Sequence, residues 1–552
     1  MEADHKMLDF EHVVPSKDMR NRYESVDVWR GDTIFDGSKD KPEPERPRQY
    51  PPSFFNNPAK YLEQTLVADY SSTLSEEIFV MLKTGGTVMW DRLPIHLVTT
   101  LTRVKNFALY SDLAGSVGGH EVIDILKDLP KEVLESDDMT TYRLMRKMHN
   151  EGYNWGTDIL DLRGRKDGWA TDRFKNIPML ADAYTKRPES KWFVFIDDDT
   201  FVMWDNLEQY LSKIDHKKPI YLGHRAWFPS PAVHNGKKVS FFAHGGSGVV
   251  LSKGAMDTLF GPDSNSTIQE TIEDWSLRAM RQCCGDLMVA WALFEKGDVT
   301  LDPESEEYPM IRFQGEAVNL AEYGPEDMCE PLLTFHHLTG HDIEVLWEYE
   351  RLRPKGVPTL YNDFYRDFVL PYVVEEREGW YMGRSTYTIS ERENTPFEDG
   401  DGKEIYPHKK KEDCRKACEK HNTCYVWSYW KGTCQLQHNN IVLGSKATRD
   451  RNDYVKKFGL APRVTTGWMV DRIRELRASL KCDPLKYDKK TGEYNDSPET
   501  AEGWAIRALE AAEKQLNESQ SIPPDELQSN PSDELESTPP DEINQESNIN
   551  LA

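Results

Sequence analysis

No stretch of these 552 residues approaches the roughly 20 consecutive apolar residues needed to cross a bilayer. The opening MEADHKMLDF has neither the basic start nor the apolar centre of a secretory leader. Taken literally, the chain has no membrane anchor and reads as cytosolic. Positive charge is also scarce: 68 Lys and Arg stand against 94 Asp and Glu, a net charge of −26, so non-specific attraction to nucleic acid or anionic lipid is not expected. The stretch from Ser521 onward holds eight acids and no base, which leaves about −18 for the rest of the chain. There is no C-x2-C pair of the zinc-binding kind, and no Gly-Lys-Ser/Thr of a phosphate-binding P-loop.

The cysteines that are present argue against the cytosol. Four of the eight, Cys414, Cys418, Cys424 and Cys434, fall in one short segment, which suggests disulfides and an oxidising compartment. Cys283, Cys284, Cys329 and Cys482 are scattered and read as buried free thiols. The length calls for more than one domain. Residues 1–75 are a polar, Pro-rich lead-in, 76–375 a large α/β domain, 380–475 a second module, and 476–552 a helix followed by an acidic tail. In that tail PPDEL, PSDEL and PPDEI recur at 523, 531 and 539, a low-complexity and disordered pattern.

Within 76–375, apolar runs alternate with helical patterns. LPIHLVTTL (93–101), NFALYSD, KWFVFI and PIYLGH read as strands, and FKNIPMLADAYTKR as a helix between them, so a largely parallel sheet covered on both faces is expected. GDLMVAWALFEKG reads as a buried helix with Asp286 as its N-cap and Gly297 as its stop. In KWFVFIDDDTFV a central strand ends in Asp197, Asp198 and Asp199. Three carboxylates at a partly buried strand end either take up protons or hold a cation, and ligands of open α/β sheets collect at the carboxyl ends of strands. A divalent ion resolves the conflict.

Two enzyme classes place D-x-D at such a strand end. Metal-dependent phosphotransferases of the haloacid-dehalogenase type prefer Thr or Val two residues after the second Asp, where Phe201 stands here. The D-x-D of nucleotide-sugar glycosyltransferases, which holds a metal on a diphosphate leaving group, fits better. In order along 90–350, the segments WATDRFKNIPML, KWFVFIDDDTFV, YLGHRAWF, HGGSGVVLS, CCGDLMVAWAL and TFHHLTGH together resemble glycosyltransferase family 31, the Fringe and β-1,3-galactosyltransferase group, in a fungal-type version.

That resemblance implies a GT-A fold, a UDP-sugar donor, Mn²⁺, and inversion to a β linkage. It implies Asp199 as direct metal ligand, with Asp197 and Asp198 toward the ribose and the metal-bound water or phosphate. His336 matches the family's late histidine ligand, and His337 beside it stays an alternative. Imidazole with carboxylate suits Mn²⁺. Asp286 matches the second acid of the family's E-D-V stretch, Gly285 replacing the first, and is the candidate base for the acceptor hydroxyl. Asp274 is the rival base. Gly245 and Gly246 would let main chain approach the donor sugar. Thr99, Thr100 and Asp112, at the ends of the first two strands, would flank the uridine, with Asp172 and Asn176 helping to hold the nucleotide. His224, Arg225 and Trp227 suit an acceptor pocket, although Trp227 reads equally well as core.

The spacing C-x3-C-x5-C-x9-C resembles a PAN/Apple domain, which implies Cys418–Cys424 and Cys414–Cys434; the sequence by itself allows three pairings. Such modules bind protein or carbohydrate. Both resemblances imply the secretory pathway, where family 31 enzymes are usually Golgi membrane proteins, and Asn265-Ser266-Thr267 is an available glycosylation sequon. The expected protein is an inverting hexosyltransferase acting on a glycan or glycoprotein hydroxyl, with a β-1,3 linkage. The other reading is a catalytically idle, lectin-like binder.

Overall fold

A computed structural model of the chain describes residues 76–152, 167–301, 312–351, 358–447, 464–480 and 482, apart from the single positions 263, 265, 393, 395, 399, 400 and 431. The lead-in, the sequon's Asn265, the helix expected after 476 and the tail repeats lie outside the described residues.

The chain is a mixed α/β protein whose largest sheet has seven strands, in the order β3-β4-β2-β1-β5-β10-β7. These are β1 (Ile78–Lys83), β2 (Asn106–Ser111), β3 (Gly115–Val117), β4 (His120–Asp124), β5 (Trp192–Asp197), β7 (Tyr221–Gly223) and β10 (Val249–Ser252). The run from β4 through β2 and β1 to β5 is parallel, and β3 and β10 are antiparallel to their neighbours. Successive side chains of a strand point to opposite faces, and the two central strands sort accordingly. Phe79, Met81, Phe193 and Phe195 enter one core, and Ile78, Val80, Leu82, Val194 and Ile196 enter the other. Burial on both faces is why β1 and β5 are apolar without interruption. In register, Leu82 lies beside Ile196 and Lys83 beside Asp197, so both strands deliver polar side chains to the same edge.

LPIHLVTTL is not a strand. Its apolar residues belong to the helix Met89–Val98, which buries Met89, Leu93 and His96 along one face. The run of β-branched residues at its end is the short 3₁₀ turn Thr100–Arg103 and its approach. The true first strand, IFVMLK, comes earlier. Thr99 and Thr100 therefore sit at a helix C-terminus and not at a strand end. Both are buried, with Thr99 Oγ1 donating to Ile95 O at 2.6 Å and Thr100 Oγ1 paired with His96 Nδ1 at 3.0 Å.

GDLMVAWALFEKG forms the expected helix, Gly285–Gly297, but its caps differ. Cys284 is the N-cap and Asp286 lies in the first turn, while the chain leaves the helix through Asp298 in the left-handed region (φ 54°). Gly297 is there for packing: a Cβ on it would come within 2.3 Å of Thr258 Cγ2. Two short strands, β6 (Phe201–Val202) and β11 (Thr334–Phe335), pair antiparallel and bring the residues after the three aspartates beside the histidine pair. A hairpin of β8 (Arg225–His234) and β9 (Lys237–Ala243) leaves the sheet between β7 and β10.

The C-terminal region is built on a five-stranded antiparallel sheet in the order Glu376–Glu378, Thr465–Trp468, Cys424–Trp430, Thr433–His438, Tyr387–Ser390. The helix Lys411–Lys420 presents Cys414 and Cys418 on one face, where residues four apart are neighbours. They pair with Cys434 and Cys424, the connectivity implied by the resemblance. The other four cysteines are not free thiols, because Cys283 bonds Cys284 and Cys329 bonds Cys482. Sequence spacing conceals both: one bond joins adjacent residues and the other spans 153 positions.

This region shares a core with the rest of the chain. Met203, Phe335, Tyr361 and Phe364 cluster with Val426, Ile441, Trp468 and Ile473. Tyr323 and Ile441 exchange main-chain hydrogen bonds at 2.9 Å, and Gly444 N donates to Asn319 O at 2.8 Å.

Candidate active site

The edge where β1 and β5 end gathers charged side chains of both signs. Lys83, at the end of β1, is buried, with Nζ 2.7 Å from Asp172 Oδ2 and 3.3 Å from Asp197 Oδ1. Thr84 Oγ1 donates to Asp198 Oδ2 at 2.5 Å. Arg92, from the first turn of the helix Met89–Val98, lies 2.6 Å from Asp198 Oδ1 and 3.3 Å from Asp199 Oδ2. His336 Nε2 lies 3.1 Å from Asp199 Oδ1. Each of the three acids thus has a basic side chain beside it, Lys83, Arg92 or His336, which offsets part of their mutual repulsion.

Their proton affinities differ accordingly. Burial pushes Asp197 up to about 6, with Lys83 pulling it back and Asp172 and Asp199 pushing further. Burial also raises Asp198, against the pull of Arg92. Burial would raise Asp199 too, but the hydrogen bond and charge of His336 outweigh it and hold the carboxyl below its usual range. Asp199 is the acid best kept as a carboxylate. Among the described residues, one group has ligand atoms close enough to share a metal ion: Asp199, His336 and His337, within 4.8 Å of one another. The two imidazoles lie tilted at 31° to one another, ring centroids 3.8 Å apart, and His337 takes a left-handed backbone (φ 58°). A carboxylate with two imidazoles suits a divalent ion of the manganese or zinc kind.

The glycine-rich turn closes the other side. Thr200 Oγ1 donates to Gly246 O at 2.6 Å, and a Cβ on Gly246 would meet the His336 ring at 2.3 Å. Gly246 therefore makes room for the histidine. Gly245 N donates to Asp286 Oδ2 at 2.9 Å, and Leu287 N lies 2.9 Å from Oδ1. Among the described residues both of these hydrogen bonds to the carboxylate come from main chain, and burial raises its proton affinity, against the pull of Gly245 N–H and Lys83. His244 stacks edge-on to His336 at 5.4 Å between centroids, and burial, with the charge of His336, pushes it down to about 4.

Asp112 lies at the end of β2, buried, with Oδ1 accepting from Gly86 N at 2.5 Å and Oδ2 from Thr171 Oγ1 at 3.1 Å. Lys83 and Lys175 tie Asp172 to the same edge, Lys175 Nζ lying 3.6 Å from Asp172 Oδ1 and 3.5 Å from Asp112 Oδ2. Asn176 is buried beneath Gly285, where a Cβ would come 3.0 Å from its amide. Asp274 is engaged elsewhere, exposed and ion-paired with Arg278 one turn along its helix at 2.9 Å. Trp227 is not core: it is 65% exposed on the β8–β9 hairpin. Lys83, Thr84, Arg92 and His244 escape the sequence reading. The first three follow from taking IFVMLK-TGG as the opening strand and turn, a pattern of apolar run then glycines that is present at 78–86.

Residues 163–284 match a Fringe-like family model. The Fringe-like segment covers the three aspartates and the glycine turn and stops just short of Asp286, and the histidine pair lies beyond it. Part of the chain is also similar to the glycoprotein-N-acetylgalactosamine 3-beta-galactosyltransferase 1 of Xenopus laevis, 40% identical over 68 residues. The aligned stretch is 12% of this chain and 17% of that protein, so the chain spans about a sixth of the length of the relative it matches. No helix among the described residues is long and apolar enough to cross a membrane.

Proposed function

We propose that this protein is an inverting, divalent-metal-dependent glycosyltransferase of the family 31 kind, moving a hexose or N-acetylhexosamine from a UDP-sugar to a hydroxyl of a glycan or glycoprotein. The observation that carries the reading is the joining of Asp199, His336 and Asp286 around one glycine turn, at the carboxyl edge of a mainly parallel sheet. The Fringe-like match and a relative named as a 3-beta-galactosyltransferase support it, and that name favours a β-1,3 linkage. We assign a GT-A transferase domain to 76–375 and a PAN/Apple-like module to 380–475.

Asp199 and His336, with His337 beside them, would hold Mn²⁺, which when bound supplies Lewis-acid charge to the diphosphate leaving group. Asp197 and Asp198, steadied by Lys83, Thr84 and Arg92, would face the ribose and phosphates. Asp112 and the main chain at Gly86 would flank the base. Gly245 and Gly246 would line the donor sugar with main chain, their Cβ directions being taken up by Asp286 and His336. Asp286 takes the proton of the attacking acceptor hydroxyl. Its two main-chain donors hold the carboxylate in place, and burial raises its appetite for a proton, as a general base requires. One displacement gives inversion. Four disulfides support an oxidising compartment, the lumen of the secretory pathway.

The test is thermal stability with Mn²⁺ and UDP. The pair should raise the melting temperature of the wild type, and Asp199→Ala should abolish the rise. No shift with any nucleotide in the wild type would end the donor-site reading.

A further inference from the structure

Asp286 stands in the first turn of its helix, and no capping side chain aims that turn. The preceding helix, Ile268–Ala279, ends through Arg281 N and Gln282 N, which donate to Arg278 O and Ala279 O at 3.1 and 3.0 Å. The next helix begins at Gly285. Only Cys283 and Cys284 lie between, and their sulfurs are bonded to each other. Cys284 is the N-cap, in extended conformation (φ −146°, ψ 142°), and its side chain makes none of the hydrogen bonds by which Ser, Thr, Asp or Asn fix a helix start.

A disulfide between neighbours closes a small ring through the peptide bond that joins them. The ring contains the Cα–C bond of Cys283 and the N–Cα bond of Cys284, so it restrains ψ of the one and φ of the other, soft torsions that would otherwise let the incoming chain swing. Both sides of the ring are anchored. Before it, Gln282 O accepts from Arg173 Nη1 at 2.8 Å, and Arg173 Nε donates to Ala170 O at 3.2 Å. After it, Gly285 packs so closely that a Cβ would come within 3.0 Å of Arg173 O and of the Asn176 amide. Cys284 itself rests against the core that takes Phe193 and Phe195. The residue after Gly285 is Asp286, whose Oδ2 accepts from Gly245 N and Oδ1 from Leu287 N, both at 2.9 Å.

On the transferase reading above, on which this rests, we propose that the Cys283–Cys284 bond is a positioning element for the general base: it sets the direction in which the chain enters the turn that carries Asp286, so that opening it lowers turnover and leaves metal and nucleotide binding intact. The metal ligands stand on other elements. Asp199 follows β5 and His336 follows β11, and neither is carried by this turn. The bond is also within reach of a reagent. Cys283 is the one exposed cysteine of the eight, whereas Cys414, Cys418, Cys424 and Cys434 are fully buried. A dithiol therefore meets this pair first. Its thiolate attacks Cys283 Sγ, the S–S bond breaks onto Cys284 Sγ, which takes up a proton, and the reagent's second thiol then closes the reagent's own disulfide and releases Cys283 as a thiol.

The test uses the full chain and first reads the placing of Asp286 without a substrate. In the double variant Cys283→Ala/Cys284→Ala, the Gly245 and Leu287 amides that the carboxylate holds should exchange hydrogen about tenfold faster than in wild type. Amides of β1 and β5, and the melting rise with Mn²⁺ and UDP, should stay as they are. With UDP-galactose and benzyl α-N-acetylgalactosaminide as probes, kcat for released UDP should fall about tenfold or more, with KM for the donor unchanged. If the double variant does not fold, wild type treated briefly with dithiothreitol gives the same comparison. Alkylation should then label Cys283 and Cys284 before any other cysteine, with faster exchange at Gly245 and Leu287, and reoxidation should restore wild-type exchange. A variant that responds to Mn²⁺ and UDP with wild-type exchange and wild-type kcat overturns the positioning role, as does exchange that rises equally across β1 and β5. A wild type with no melting response to Mn²⁺ and UDP removes the transferase reading, and this role with it.

Discussion

Among the described residues, the hydrogen bonds to Asp286 come from two main-chain N–H groups, one on each oxygen, and an amide in its place would keep one of them. Asp286→Asn should therefore keep the Mn²⁺ and UDP melting rise while transfer, read as released UDP, falls on the order of 10²-fold or more. Retained turnover would move the base elsewhere. Gly246 offers a second single-residue test. A Cβ there would strike the His336 ring at 2.3 Å, and the ring has Gly315 and Asp199 around it. Gly246→Ala should raise the Mn²⁺ concentration needed for half the melting rise by about tenfold or more, and the overpacking should also lower the metal-free melting temperature. The acids, His336 and Asp286 were legible in the sequence because each stands in an ordered motif. Lys83, Thr84 and Arg92 were not, because their roles arise only when β1 is laid beside β5, more than a hundred positions away. Thr99 and Thr100 were misplaced for a related reason: β-branched residues ending a helix look locally like a strand.

Among the elements, the helix Gly340–Arg351 carries a titrating group that links it to the helix Trp204–Leu211. Glu350 Oε1 accepts from Asp205 N at 2.8 Å. Burial first, then the charges of Asp205 and Glu208, push its pKa up to about 8 against the pull of Arg103. An acid whose folded pKa is raised keeps its proton in the folded state after the unfolded chain has lost it. Stability should fall as pH rises from the ordinary glutamate range, near 4.5, toward 8, and then level off. Glu350→Gln should remove that slope from a plot of melting temperature against pH, and an unchanged slope would assign it to other groups. Most elements were readable because apolar runs on both faces mark buried strands. The cap of the helix Gly285–Gly297 was not, since Asp286 in the first turn and Asp286 as N-cap leave the same trace in sequence.

At the scale of the molecule, the composition suggests two separable regions, and the third hydrophobic core joins them. Trp468, Ile441, Val426 and Ile473 cover Tyr323, Tyr361, Phe335 and Phe364. A chain ending at residue 375 should lose that cover, exposing large apolar side chains, and should appear in the insoluble fraction or as a broad, non-cooperative melt. A sharp transition from soluble truncated protein would show the first region to be self-sufficient. Sequence patterning could not reveal this, because a core residue carries no label for the partner that buries it.

Cys329 waits for Cys482, which lies 153 positions later. At a synthesis rate of about 5–20 residues per second, that partner emerges roughly eight to thirty seconds after Cys329 does. The strands that cover the shared core are added during that interval, the last of them, Thr465–Trp468, shortly before Cys482. The core shared by the two regions is thus completed only when nearly the whole described chain has been made. The order of translation therefore has a part in deciding when that core can first close.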